Sequence, residues 1–171
     1  QFLQLVESSG AKTAIEVGAG FCGTSVLLSK TLGPGSLLIS VALPIWLNGT
    51  PEVFEKEARE SLPPEHEFKL IRGDSAADST VSAVRKALDG RLADLLFVDA
   101  DHKTEAARAD YDAYVPLLTK DATVALHDIC MMELWPLWNE LRGAVTPDRS
   151  IEIIRDRKQR DCGIGVLIGQ H

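Results

Sequence analysis

The sequence predicts an α/β fold, a three-layer αβα sandwich around a seven-stranded, mostly parallel sheet with an antiparallel C-terminal hairpin. Three observations lead there. Apolar β-type runs bounded by Gly, Pro or Asp alternate with stretches whose apolar residues recur at helical spacing. Runs such as Asp94-Leu95-Leu96-Phe97-Val98 are nearly continuous in apolar character, which suits strands covered by helices on both faces. The last two runs are separated only by Arg155 to Cys162, too little chain for a crossover helix, so they return antiparallel at a sheet edge.

The elements follow in order. Phe2, Leu5 and Val6 mark a helix ahead of the first strand, Thr13 to Val17. A helix after Gly23 stops near the Gly33-Pro34-Gly35 turn, and Ser36 to Ala42 forms the second strand. Pro51 suits a first helical position after Thr50, with Phe54 and Ala58 one turn apart, before a third strand from Glu67 to Ile71. Val81, Val84 and Leu88 anchor the next helix, which ends before Gly90, and Ala93 to Val98 is the fourth strand. Ala107, Tyr111, Tyr114, Val115 and Leu118 continue the helical spacing, and Pro116 ends or kinks that helix because its ring removes a backbone donor. Ala122 to Leu126 is the fifth strand, Leu134, Leu137, Trp138 and Leu141 anchor a last helix, and the hairpin strands are Ile151 to Ile154 and Gly163 to Ile168. No repeat, low-complexity tract or linker divides the chain, so residues 1–171 are expected to form one domain.

Composition narrows the function classes. A chain of 171 residues, 45% hydrophobic, can bury a core, and no run approaches the roughly 18 apolar residues of a membrane span. Gln1 to Val6 lacks a signal-peptide layout, so a cytoplasmic setting is expected; a start at Gln1 rather than Met points to a processed or trimmed chain. Cys22, Cys130 and Cys162 form no CxxC pair and read as reduced thiols. Lys and Arg number 18 against 25 Asp and Glu, a net charge of −7 that disfavours a nonspecific grip on nucleic acid. A small-molecule partner is the expectation that remains.

The strongest local motif is Ile15-Glu16-Val17-Gly18-Ala19-Gly20-Phe21-Cys22-Gly23, a strand running into a glycine turn and then a helix, where backbone can approach a ligand closely. Gly18, Gly20 and Gly23 match GxGxxG, yet the acidic partner of a dinucleotide site is missing, because Ala42 stands at the end of the second strand. A bland reading is a tight turn that needs glycine for backbone reasons alone. The third strand runs into Arg72-Gly73-Asp74-Ser75, where Asp74 could contact a ligand or cap the next helix. Phe97-Val98-Asp99-Ala100-Asp101-His102 follows the fourth strand, and Leu126-His127-Asp128-Ile129 follows the fifth. Parallel strands bring both clusters to the carboxyl edge beside the glycine loop, where open α/β sheets bind ligands. The plain alternatives are helix caps, satisfied turns and, for His102, a solvent-facing first turn.

Glu-x-Gly-x-Gly at the end of the first strand resembles the cofactor motif of class I S-adenosylmethionine-dependent methyltransferases, a Rossmann-like family. The pattern from Phe97 through Ile129 resembles its small-molecule O-methyltransferase branch, cephalosporin-hydroxylase-like and sugar or catechol-type. The resemblance implies that Glu16 serves the methionine ammonium, that Asp74 meets the adenine amino group, and that Gly18, Ala19, Gly20, Ala42, Ser75 and Asp99 complete the cofactor site. It implies a divalent metal, Mg2+ or Mn2+, on Asp99, His127 and Asp128, with His127 a departure from the family's acid that favours softer ions than magnesium. It implies that His102 takes the acceptor's hydroxyl proton beside Asp99, with Asp101 orienting or assisting.

A hydroxyl-bearing small molecule is then the partner, with no nucleic acid and no membrane; a homodimer is compatible with the sequence. Two rivals stand: an NAD-dependent oxidoreductase, opposed by Glu16 and Ala42, and a noncatalytic module that keeps the fold but has lost the ribose-binding acid at Ala42. Trp46 and Trp135 could floor a pocket, whereas Trp138 reads as core. The basic cluster Arg155, Arg157, Lys158 and Arg160 reads as solvated hairpin charge. His66 and His171 have no comparable setting.

Overall fold

The computed structural model describes residues 1–44, 51–131, 133–156 and 162–169. Trp46, the Phe54 side chain, Arg157, Lys158, Arg160 and His171 lie outside the described residues.

The elements in chain order are α1 (Phe2–Ser9), β1 (Thr13–Val17), α2 (Gly23–Ser29), β2 (Leu37–Ala42), α3 (Pro51–Ser61), β3 (Glu67–Arg72), α4 (Asp78–Leu88), β4 (Ala93–Val98), α5 (Thr104–Tyr114), β5 (Leu118–His127), α6 (Trp135–Gly143), β6 (Ser150–Ile153) and β7 (Ile164–Ile168). The seven strands form one sheet in the order β3-β2-β1-β4-β5-β7-β6. β1 to β5 run parallel, and β7 enters antiparallel between β5 and β6. Strand order reverses at β1 and β4, so a crevice opens over their carboxyl ends.

Side chains alternate across the strands and build two apolar layers. Ala14, Leu38, Leu95, Phe97 and Ala125 pack with Phe2, Val6, Leu28 and Ala58 from α1, α2 and α3. Ile15, Val17, Ile39, Leu96 and Val124 pack with Val84, Leu88, Tyr111, Tyr114, Leu137 and Trp138 from α4, α5 and α6. Strands buried on both faces explain the near-continuous apolar runs of the sequence. Among the described residues no helix is long and apolar enough to cross a membrane.

One element departs from the sequence reading. Leu118, read as the last anchor of the helix, begins β5 opposite Ala93, and the ladder slips before Leu95 pairs with Thr123. Pro116 is the cause: α5 stops at Tyr114, and Val115 to Leu117 tightens into a single 3-10 turn whose fixed proline φ suits its start. Helical spacing survives across that turn, which is why Leu118 imitates a helix position.

Trp138 is fully buried, as its helical spacing suggested, and its indole N–H donates to Glu152 Oε1 at 2.8 Å. The ring packs against β7 at Gly165, where a Cβ would stand 2.5 Å from Trp138 Cε3. Gly165→Ala is therefore expected to lower unfolding stability by about 1–3 kcal/mol through overpacking, read as a fall in urea midpoint without a change in slope.

Candidate active site

The β1–α2 loop is shaped by backbone demands. Gly18 has φ 96° and Gly20 φ 52°, both in the region that side chains resist. A Cβ on Gly18 would overlap the Asp99 carbonyl and stand 2.7 Å from Ala100 Cα. Gly18 thus lets β1 and the end of β4 close on each other, and the loop is pinned by Gly18 and Ala19 N–H groups that both donate to Val41 C=O at 2.9 Å.

Above this loop opens a cavity of about 680 Å³, within the range of small-molecule sites. Gly18, Gly20, Ala42, Asp74, Ser75, Asp99, Asp101 and His102 line it, so the structure brings together most of the residues singled out from the sequence. Val41, Leu43, Gly73, Ala76, Ala100, Ala106 and Asp110 also line it and were missed. The one signal for Asp110 was a carboxylate on the helix face of Ala107, Tyr111 and Tyr114, where an apolar residue would be ordinary.

Glu16 and Ala19 are not among the lining residues. Glu16 is fully buried on the α2 side of β1, and its Oε2 accepts hydrogen bonds from the hydroxyls of Ser25 and, at 2.6 Å, Ser40. Its other oxygen has no partner among the described residues, and burial pushes its carboxyl up. A raised folded value means that the stability Glu16 supports is complete below the unfolded carboxyl value of about 4.3 and declines as pH rises through the folded one. Glu16→Gln is expected to flatten that decline, measured as melting temperature against pH from about 4 to 8.

Asp74 serves its own turn: its Oδ1 accepts the Ala76 N–H at 3.2 Å, leaving the exposed carboxylate one oxygen for a ligand. Asp101 does the same for Lys103 N–H at 3.1 Å, just ahead of α5. Neither residue caps a helix: α4 and α5 start after Ala77 and Lys103 with no side-chain cap, so each carboxylate closes only its own i,i+2 turn, and both residues face the cavity.

The polar cluster sits where β4 and β5 end side by side. Asp128 takes φ 58°, a left-handed conformation unusual for a residue other than glycine, and its side chain is only 11% exposed. Its Oδ2 lies 2.8 Å from His102 Nε2, while its Oδ1 lies 3.1 Å from His127 Nδ1. His127 Nδ1 is also 3.1 Å from Asp99 Oδ1, and this carboxylate holds the imidazole above its usual value despite partial burial. His102 Nε2 is 4.0 Å from Asp99 Oδ1. Ligand atoms of Asp99, His102 and Asp128 all lie within 4.8 Å of one another, so among the described residues the convergent set contains His102 where the sequence pointed to His127. The loop after Asp128 is tied to the start of β7 by Ile129 N–H to Gly163 C=O at 3.3 Å and Cys130 N–H to Cys162 C=O at 3.1 Å.

Comparison with known proteins adds an independent line. The family model described as a methyltransferase domain matches residues 15–129. No curated protein sequence matches the chain. Among solved structures, the O-methyltransferase from Bacillus cereus in complex with SAH is similar at 16% identity and TM-score 0.65, covering 98% of this chain and 79% of that one. The O-methyltransferase TomG from Streptomyces achromogenes, involved in Tomaymycin synthesis and bound to SAM, is 16% identical with TM-score 0.62, covering 98% and 77%. Cofactor-bound Rv0187 from MTB is 16% identical with TM-score 0.65, covering 99% and 79%. At such identities the likeness establishes the fold.

Proposed function

We infer that this chain, which belongs to the methyltransferase domain family, transfers a methyl group from S-adenosylmethionine to a hydroxyl of a small molecule. The observation that carries this reading is the His102–Asp128 pair, 2.8 Å apart, at the edge of a glycine-floored cavity. The residues present fit the cofactor: Gly18 and Gly20 allow close backbone approach, and Asp74 and Ser75 offer polar contacts at the far end. Similar proteins hold SAM or SAH on this fold. Bound there, the cofactor supplies a methyl group made electrophilic by its sulfonium.

A neutral alcohol is a weak nucleophile, so loss of its proton must accompany attack. His102 Nε2 lies 2.8 Å from Asp128 Oδ2, so in the tautomer this reading requires, Nε2 carries the proton toward Asp128 and Nδ1 is the basic nitrogen. The proton passes from the acceptor hydroxyl to Nδ1, and the Asp128 carboxylate stabilises the imidazolium that forms. His127, held between Asp99 and Asp128, keeps two neighbouring carboxylates from repelling each other. Glu16 acts beneath the loop, through Ser25 and Ser40, as a support for it.

A metal-assisted version has its own observation in the convergence of Asp99, His102 and Asp128. Two carboxylates and an imidazole suit manganese, iron or zinc better than magnesium. A bound ion would stabilise the deprotonated hydroxyl, and His102 would then be a ligand in place of a base. Calorimetric titration with S-adenosylhomocysteine, with NAD as control and manganese present or absent, tests the reading. Micromolar binding of the thioether alone is expected. Preference for NAD would favour an oxidoreductase, and binding of neither would favour the noncatalytic module.

A further inference from the structure

Asp110 stands apart from the other carboxylates of the cavity. It is 1% exposed on α5, lines the cavity beside Asp74 and Ser75, and its Oδ1 has no hydrogen-bond partner among the described residues. A buried polar atom without a partner is costly, so native folds retain few without a reason. Burial pushes the carboxyl up, a Ser75 hydrogen bond opposes that, and the Asp74 and Asp101 carboxylates facing it push it further up. Asp110 is therefore held where a donor from a ligand would relieve it.

Its position says which donor. Val41, Ala42 and Leu43 wall the cavity at the end of β2, while Gly73 to Ala76 and Asp110 wall it at the β3–α4 loop. α5 grips that loop, since the Tyr114 hydroxyl donates to Ser75 C=O at 2.8 Å. Asp74 is exposed and has one oxygen committed to Ala76, so it is the less rigid of the two acids. We propose that Asp110 accepts a hydrogen bond from the exocyclic amine of the cofactor's purine and so selects an aminopurine over an oxopurine. This rests on the adenosyl reading given above. The amine is the only neutral N–H donor that an adenine ring offers, and its replacement by a carbonyl oxygen would set two acceptors against each other.

The test is calorimetric titration of the full chain with S-adenosylhomocysteine and with its deaminated analogue, S-inosylhomocysteine. Wild type should bind the adenosyl ligand at least about tenfold more tightly. Asp110→Asn should cut that ratio about tenfold, because an amide can turn its N–H toward the 6-oxo group, while Tyr114→Phe should leave the ratio unchanged. Equal affinity of wild type for the two ligands would overturn the proposal, and this arm needs no variant to fold. So would an Asp110→Asn protein, folded by its melting curve, in which both ligands weaken by the same factor, since that marks a residue that merely positions Ser75. Failure of wild type to bind either ligand would instead remove the adenosyl reading itself, and the proposal with it.

Discussion

His102→Ala, which removes the proposed base, should lower kcat for methyl transfer by about 10²- to 10⁴-fold, the usual contribution of a positioned general base. S-adenosylhomocysteine affinity should fall far less than kcat, because the main loss is in handling the acceptor's proton, although His102 also lines the cavity. Asp128→Asn should lose most of the same activity, since an amide no longer stabilises an imidazolium 2.8 Å away. The double variant should be no worse than the poorer single one, as expected of groups that act as a unit. The measurement is the rate of S-adenosylhomocysteine formation with a panel of phenols and sugars bearing vicinal hydroxyls. Turnover that survives His102→Ala sinks the base assignment. Turnover of wild type that collapses on chelation and returns with manganese moves His102 from base to ligand.

Gly18→Ala should be the most damaging small substitution in the chain. Its backbone φ of 96° is already hostile to a side chain, and the added methyl would meet the Asp99 carbonyl and Ala100 backbone, neither of which is the free end of a flexible group. Accommodation would have to separate β1 from the end of β4, where Val17 pairs with Val98 and Asp99 N–H donates to Val17 C=O at 2.8 Å. We expect a loss of more than about 3 kcal/mol, seen as insoluble expression or a melting point far below wild type. Gly20→Ala is the control. Its φ of 52° lies in the αL well, so the cost should be about 1–2 kcal/mol, with a folded protein and weaker cofactor binding. Similar stability of the two variants would show that the overlap at Asp99 is absorbed by a backbone shift.

Much of this architecture is readable without coordinates because its strands are buried on both faces and therefore spell themselves as unbroken apolar runs. β1 and β4 start and stop where the runs of Thr13 to Val17 and Ala93 to Val98 do. The start of β5 is not readable, since a proline-led 3-10 turn preserves the apolar spacing that a helix would show. At the site, residues that follow a strand directly, such as Asp99, His102 and Asp128, are legible because strand direction dictates where they go. Pairing is not: that His127 bridges Asp99 and Asp128 while His102 meets the other oxygen of Asp128 depends on the turn at Asp128, whose positive φ no neighbouring residue announces. Asp110 is hidden for a different reason, because it reaches the cavity from a helix whose register against the β3 loop is set by tertiary packing. The motif alone also does not reveal that the pleat of β1 turns Glu16 toward Ser25 and Ser40, so that it is not among the residues lining the cavity.

The placement of β7 between β5 and β6 has a consequence for the order of synthesis. β5 leaves the ribosome well before β7, so for a few seconds at ordinary translation rates its inner edge carries unpaired backbone groups beside Val124, Ala125 and Leu126. During that interval the Asp128 turn also lacks the bonds that Gly163 and Cys162 give to Ile129 and Cys130. A nascent chain can thus hold a formed glycine loop while the Asp128 turn beside His102 is still unset, and the edge that a chaperone would have to guard is the one that later fixes that turn.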